Sequence, residues 1–253
     1  MFLKLDDAEL FVSAFGKGPD TLVAHGGWVG SGELWYQPFE HLSRSWRTIT
    51  YDHRGTGATV NHAPAITFEL LVQDLFRVLD ALSVEKCVLA AESSGACVVL
   101  EATLRDPSRF KGLVIVDGRY YGGRTVGAAR FMEGCKTDFP GTMDLFVNAC
   151  IPEEDCNAER RWAKQTVNRS NGPAAIQLMG CLEAVDVERR LSEILLPTLI
   201  IHGSRDVITP VAASENLAAR IPNSRLVIIE GAGHVPTITR PVDVAKAIED
   251  FFA

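Results

Sequence analysis

A mostly parallel β-sheet covered by helices on both faces, with one helical insertion, is the fold class predicted by this 253-residue chain. Three observations predict it. Short apolar runs of strand type alternate with helix-period segments, the pattern of strands joined by crossover helices. Several of those runs are apolar at nearly every position, as strands buried on both faces are. One run, Lys86 to Ala91, passes through Glu92-Ser93-Ser94-Gly95 straight into a helix-compatible segment, and such a turn is a place where a serine becomes a nucleophile.

In chain order, Glu9 to Phe15, Thr21 to Ala24, Arg47 to Tyr51, Lys86 to Ala91, Gly112 to Val116, Thr198 to Ile201 and Arg225 to Ile229 read as strands. Helical periodicity marks Thr67 to Leu82, where Leu70, Leu71, Leu75, Val78, Leu79 and Leu82 share a face, and also Ser94 to Arg105, Pro210 to Arg220 and Pro241 to Phe252. The alternation stops between Gly122 and Arg190. There a glycine-rich entry (Gly122, Gly123, Gly127) leads into helix-like stretches carrying Phe131, Met132, Phe139, Met143, Phe146 and Trp162. The division predicted is a core of residues 1–121 and 191–253 and a helical subdomain of 122–190 packed over the carboxyl edge of the sheet. Within it, the charged run Glu153 to Lys164 reads as a solvated helix face.

Composition narrows the function classes. A formal net charge of −7 with no basic stripe argues against a nucleic-acid or acidic-membrane surface. Met1 to Glu9 mixes charges with apolar residues and no apolar run is long enough to span a bilayer, so the expectation is a protein with no signal peptide, located in the cytoplasm. The six cysteines show neither Cys-x-x-Cys spacing nor histidine partners, which predicts no metal site. Cys87 and Cys97 read as packing residues, and a Cys150–Cys156 disulfide is disfavoured in a reducing compartment.

The chemistry lies at strand ends. A strained elbow needs small residues two positions before and two after its nucleophile; Ala91 and Gly95 meet that condition for Ser93, whereas Ser94 would put Glu92 in a small-residue position. A serine hydroxyl needs a base, and a base histidine needs a carboxylate to fix its tautomer. His202-Gly203-Ser204-Arg205-Asp206 and Glu230-Gly231-Ala232-Gly233-His234 follow two later strands and supply Asp206 and His234 in the order Ser, Asp, His. Asp117 is the weaker candidate for the acid. After Thr21 to Ala24 comes His25-Gly26-Gly27-Trp28, whose backbone can present an N–H of Gly27, or alternatively Trp28, to an oxyanion shared with the N–H of Ser94. His25 reads as structural.

Together with Tyr51-Asp52-His53-Arg54-Gly55-Thr56-Gly57, these pieces make the chain resemble the α/β-hydrolase superfamily over essentially its whole length. The resemblance implies the α/β-hydrolase fold, a helical cap inserted after the sixth strand, Ser93 as nucleophile, Asp206 as acid, His234 as base, and structural roles for Asp52 and Arg54. It implies no cofactor. The expected activity is hydrolysis of a carboxylic ester or lactone of a small to medium apolar or aromatic molecule through an acyl-enzyme, with short-chain aryl esters or a lactone as substrates. Trp28, Tyr120 and Tyr121 are the predicted substrate-binding residues. The alternatives carried are a carbon–carbon bond hydrolase, a perhydrolase, a cofactor-free oxygenase and a ligand-binding receptor that keeps the triad.

Overall fold

The structure, a computed structural model, describes residues 1–121, 128–185 and 187–253. The strands are β1 (Phe2–Lys4), β2 (Ala8–Phe15), β3 (Asp20–His25), β4 (Trp46–Tyr51), β5 (Val60–Asn61), β6 (Cys87–Glu92), β7 (Phe110–Val116), β8 (Thr198–Gly203) and β9 (Ser224–Ile229). The helices are α1 (Tyr36–Leu42), α2 (Phe68–Ala81), α3 (Gly95–Arg105), α4 (Ala128–Thr137), α5 (Phe139–Cys150), α6 (Asn157–Val167), α7 (Gly172–Glu183), α8 (Val211–Arg220), α9 (Pro236–Thr239) and α10 (Pro241–Phe252). The short strands β1 and β5 carry too few residues for a periodic pattern, and sequence reading passes over them. With both counted, the insertion leaves from the seventh strand in chain order.

All strands join one sheet in the order β1-β2-β4-β3-β6-β7-β8-β9, with β5 beside β2. Pairing is antiparallel among β1, β2, β5 and β4 and parallel from β4 through β9. From β3 the chain crosses one way to β4 and then back past β3 to β6, so right-handed crossovers place α1 on one face and α2, α3 and α8 on the other. α10 packs beside α1, and α2 beside α3. Thr67 caps α2 by accepting the N–H of Leu70, and Leu71, Leu75, Val78 and Leu79 are buried on one face of that helix.

Register aligns the carboxyl ends of the central strands. His25 stands opposite Ala91, Glu92 opposite Val116, Val116 opposite Ile201 and Gly203 opposite Ile229. Whatever follows each strand therefore emerges at one edge, and the crossing reversal between β3 and β6 opens a crevice there. Asp52 and Arg54 brace the loop after β4. Asp52 accepts the N–H groups of Gly32 and Ala58, and the buried Arg54 guanidinium is bonded to Asp74, Asp7 and Asn61.

Helices α4 to α7 lie between β7 and β8 and reach the same edge. The entry residues Gly122, Gly123 and Gly127 lie outside the described residues. The charged run corrects the sequence reading at Glu153, which is buried and accepts the N–H of Gly233, because the chain before α6 turns inward. Arg160 spends its guanidinium on the carbonyls of Ile151, Glu153 and Glu154. Among the described residues, none of the six cysteines is in a disulfide. Among the described residues no helix is long and apolar enough to cross a membrane.

Candidate active site

The elbow is built from close approaches. Ser93 has φ +52, a left-handed conformation unusual for a residue with a Cβ and costing on the order of 1–3 kcal/mol. It is held there because its N–H donates to Val116 O at 2.8 Å while its carbonyl accepts the N–H groups of Arg119 and Ala96. Gly95 must be glycine: a Cβ there would lie 2.2 Å from Gly26 O and 2.9 Å from His25 Nδ1. Ala91 takes the other small position and is fully buried between β3 and β7.

The loops after β8 and β9 bring the rest. Asp206 Oδ2 lies 2.7 Å from His234 Nδ1, and His234 Nε2 lies 2.9 Å from Ser93 Oγ. Burial works to raise the Asp206 pKa, but the charge of His234 and the hydrogen bonds from His202, His234 and Thr209 outweigh it and hold the carboxyl well below its usual range. An ionised Asp206 can only accept, so Nδ1 carries a proton; when Nε2 carries none, it accepts from the Ser93 hydroxyl. Asp206 Oδ1 accepts the N–H groups of Ile208 and Thr209 at 2.7 and 3.0 Å. His202 stands behind, donating Nε2–H to Thr209 O and lying 3.3 Å from Asp206 Oδ2.

Asp117 is the contrasting carboxylate. It is fully buried at the end of β7 with φ +47; Oδ1 accepts the N–H of Gly203, and Oδ2 has no partner. Burial, and then the charge on Asp206, push its pKa well above the usual value, the opposite direction to that of Asp206. It makes no hydrogen bond to His234. Asp117, Asp206 and His234 gather donor atoms within 4.8 Å. Both ring nitrogens of His234 are already engaged, by Asp206 and Ser93, so this set suits hydrogen bonding better than a cation.

The loop after β3 completes the site. Nδ1–H of His25 donates to Gly26 O at 2.7 Å, and Nε2–H of His53 donates to Trp28 O at 3.2 Å. The two rings stack at 4.7 Å, and burial drives both histidines to low pKa, His25 to about 4. Two neutral imidazoles thus pin carbonyls of the glycine loop. Because N–H and C=O point opposite ways across a peptide, pinning Gly26 O turns the N–H of Gly27 away from His25. A Cβ on Gly27 would sit 3.5 Å from Ser93 Cβ, so this residue faces the serine. Among the described residues, the N–H groups of Gly27, Trp28 and Ser94 take no part in the backbone hydrogen bonds of the turns and loops.

Two chambers meet at Ser93. One, of about 330 Å³, is lined by Trp28, Ser94, Cys97, Arg119, Tyr121 and residues of the insertion; the other, of about 40 Å³, is lined by Gly27, Glu92, His234 and apolar side chains. Trp28 lines both, donates Nε1–H to Ala175 O at 2.8 Å and packs on the rings of Phe131 and Phe146. Tyr121 lines the larger chamber. Tyr120 does not: it is buried with its hydroxyl donating to Ala213 O and accepting from Asn216, so it packs against α8, and its reading as a substrate contact is corrected.

Sequence reasoning missed several lining residues. Cys97 was read as packing only, yet it borders the larger chamber. Arg119, Val207, Ile208 and Thr209 also line it, and their signal was available, since they follow Asp117 and Asp206 at strand ends. The Glu92 side chain turns to Thr237, whose hydroxyl is bonded to Oε2, and burial lifts its pKa to about 8. From the insertion, Cys150 O accepts the N–H of His234 and Glu153 accepts that of Gly233, so two of its residues hold the histidine loop.

Comparison with known proteins places the chain. The model of the alpha/beta hydrolase family matches residues 22–247. A protein named as a carbamate hydrolase, RutD, of Caulobacter vibrioides is 27% identical over 253 residues, covering 92% of this chain and 90% of its own. The pimeloyl-[acyl-carrier protein] methyl ester esterase of Nitrosomonas europaea is 27% identical over 247 residues, covering 92% and 96%. Among solved structures, a hydrolase from Pseudomonas aeruginosa superposes with TM-score 0.91 at 24% identity, covering 100% of this chain and 98% of its own.

Proposed function

The chain belongs to the alpha/beta hydrolase family, and on that premise we propose that it is a serine hydrolase cleaving a carboxylic ester or lactone of an apolar small molecule through an acyl-enzyme. The observation that carries the reading is the continuous hydrogen-bonded chain from Ser93 Oγ through His234 to Asp206, at 2.9 and 2.7 Å, beside the glycine loop after β3. In this reading Ser93 attacks the acyl carbon as His234 Nε2 takes its proton, and Asp206 stabilises the imidazolium. The N–H groups of Gly27 and Ser94 receive the oxyanion, each worth roughly 3 kcal/mol to the transition state. His234 returns the proton to the departing oxygen, then activates the water that releases the acid.

The same reading takes residues 1–121 and 191–253 as the catalytic core and 122–190 as a cap whose aromatic side chains shape the acyl and alcohol sites. Trp28 and Tyr121 are its substrate contacts. An ester as substrate is supported by the Nitrosomonas relative, whose name assigns it an ester. The experiment is steady-state hydrolysis of an alkyl ester and lactone panel followed by pH-stat. Ser93→Ala is expected to lower kcat by about 10⁶-fold; a variant that keeps near wild-type turnover contradicts the mechanism.

A further inference from the structure

The chambers on either side of Ser93 are unequal, and only one of them touches the base. His234 and Gly27 line the chamber of about 40 Å³; neither lines the chamber of about 330 Å³. A tetrahedral carbon bonded to Ser93 Oγ carries three other substituents: the oxyanion, the acyl chain and the leaving oxygen. The leaving oxygen must take its proton from His234 Nε2, so it lies on the histidine's side. The chamber beside the base is the smaller one several-fold, so it admits the smaller of the two substituents.

Resting on the serine-hydrolase reading above, we infer that the substrate is an ester of a small alcohol on a longer acyl chain: the alkoxy group fills the chamber beside His234 and the acyl chain fills the larger one. The small chamber's walls are Leu34, Val147, Val167 and Ile238, all buried and apolar, which suits an alkyl group and excludes a charged one. Its further polar side chain is Glu92, buried, with Oε2 taken by Thr237 and Oε1 without a partner. Once the alcohol has gone, water must enter the same place to reach His234, and Glu92 Oε1, which has no other partner, offers that water a hydrogen bond.

The balance is that of ordinary ester hydrolysis. The Ser93 Oγ–acyl carbon bond forms as the acyl carbon–alkoxy oxygen bond breaks, and the serine proton leaves on the alcohol by way of His234. Water then supplies hydroxyl to the acyl carbon and a proton, through His234, to Ser93.

The test is a matrix of unactivated esters assayed by pH-stat: methyl, ethyl and butyl hexanoate against hexyl acetate. Chromogenic aryl esters are unsuitable, because p-nitrophenolate leaves without a proton from His234 and can occupy either side. Methyl hexanoate is expected to exceed both butyl hexanoate and hexyl acetate in kcat/KM by at least about tenfold. Val147→Ala and Ile238→Ala, which widen only the small chamber, are expected to raise butyl relative to methyl hexanoate by about tenfold while leaving the acyl-length profile in place. Preference for hexyl acetate overturns the inference but not the serine mechanism, as does an acyl-length profile that shifts in the two variants. Absence of hydrolysis across the matrix, with Ser93 also inert to a fluorophosphonate, overturns the underlying reading and this inference with it. The wild-type matrix decides even if a variant fails to fold.

Discussion

The carboxyl edge of the sheet and the insertion packed on it hold their residues by different means. Along the edge, each loop begins with a main-chain bond to the next strand: Ser93 N–H to Val116 O, Asp117 N–H to Ile201 O, and Ser204 N–H to Ile229 O. Sheet register therefore positions the reacting groups. The insertion is attached through side chains and single contacts, with Trp28 reaching Ala175 O, Glu153 holding Gly233, and Phe131 and Phe146 stacking around the indole. Such walls set shape and access. The lesson is a division of labour in which damage to the edge removes chemistry and damage to the insertion changes what fits.

The sharpest break in that comparison lies within the edge itself. Asp206→Asn is expected to lower kcat by about 10³–10⁴-fold, because the amide no longer fixes the imidazole tautomer. Asp117→Asn keeps an acceptor for the Gly203 N–H and loses at most a contact of about 1 kcal/mol, under about tenfold in rate. Steady-state kinetics of the pair checks this, and the reverse ranking would move the acid to β7. At the junction, Glu153→Ala strands the buried Gly233 N–H at a cost of roughly 1–3 kcal/mol, so kcat/KM should fall about tenfold or more together with Tm. An unchanged Tm would detach the insertion from the histidine loop. Where the glycine loop meets the insertion, Trp28→Phe loses the bond to Ala175 O, worth about 1 kcal/mol, and should raise KM several-fold with little change in kcat. A collapse of kcat in that variant would instead give the indole a part in the chemistry.

Glu92→Gln should change rate least and pH dependence most. Burial lifts the Glu92 pKa from 4.5 to about 8. Below pH 4.5 the folded and unfolded chains both hold the proton; between there and about 8 the unfolded chain releases it while the folded chain keeps it, so stability falls as pH rises. Glutamine removes that loss. The Tm of Glu92→Gln minus that of the wild type should therefore grow from pH 5 to about 8 and then level, and a flat difference would show that the carboxyl is ionised in place.

The difference between the two regions also explains what could be read beforehand. Ser93, Asp206, His234 and the glycine loop stand at strand ends, and strand ends announce themselves as apolar runs closed by small residues. Strand and helix positions in the core were legible for the same reason, apart from β1 and β5, which are too short to show a period. The insertion offered no such marker. Glu153 sits in a run whose composition matches a solvated face, and only the turn before α6 sends it inward. Tyr120 and Tyr121 are adjacent and alike, yet one packs on α8 and its neighbour faces the chamber, a choice made by tertiary packing and not by residue type. Glu92 likewise shows its direction only once Thr237 is placed beside it.

The central claim is that Ser93, and no neighbouring hydroxyl, is the activated nucleophile. Reaction of the native protein with a fluorophosphonate, followed by peptide mapping, tests it most directly. The adduct should fall on Ser93, form at a stoichiometry of about one per chain, and form far more slowly in Asp206→Asn. An adduct on Ser94, or labelling of Ser93 at the same rate in both proteins, would contradict the account.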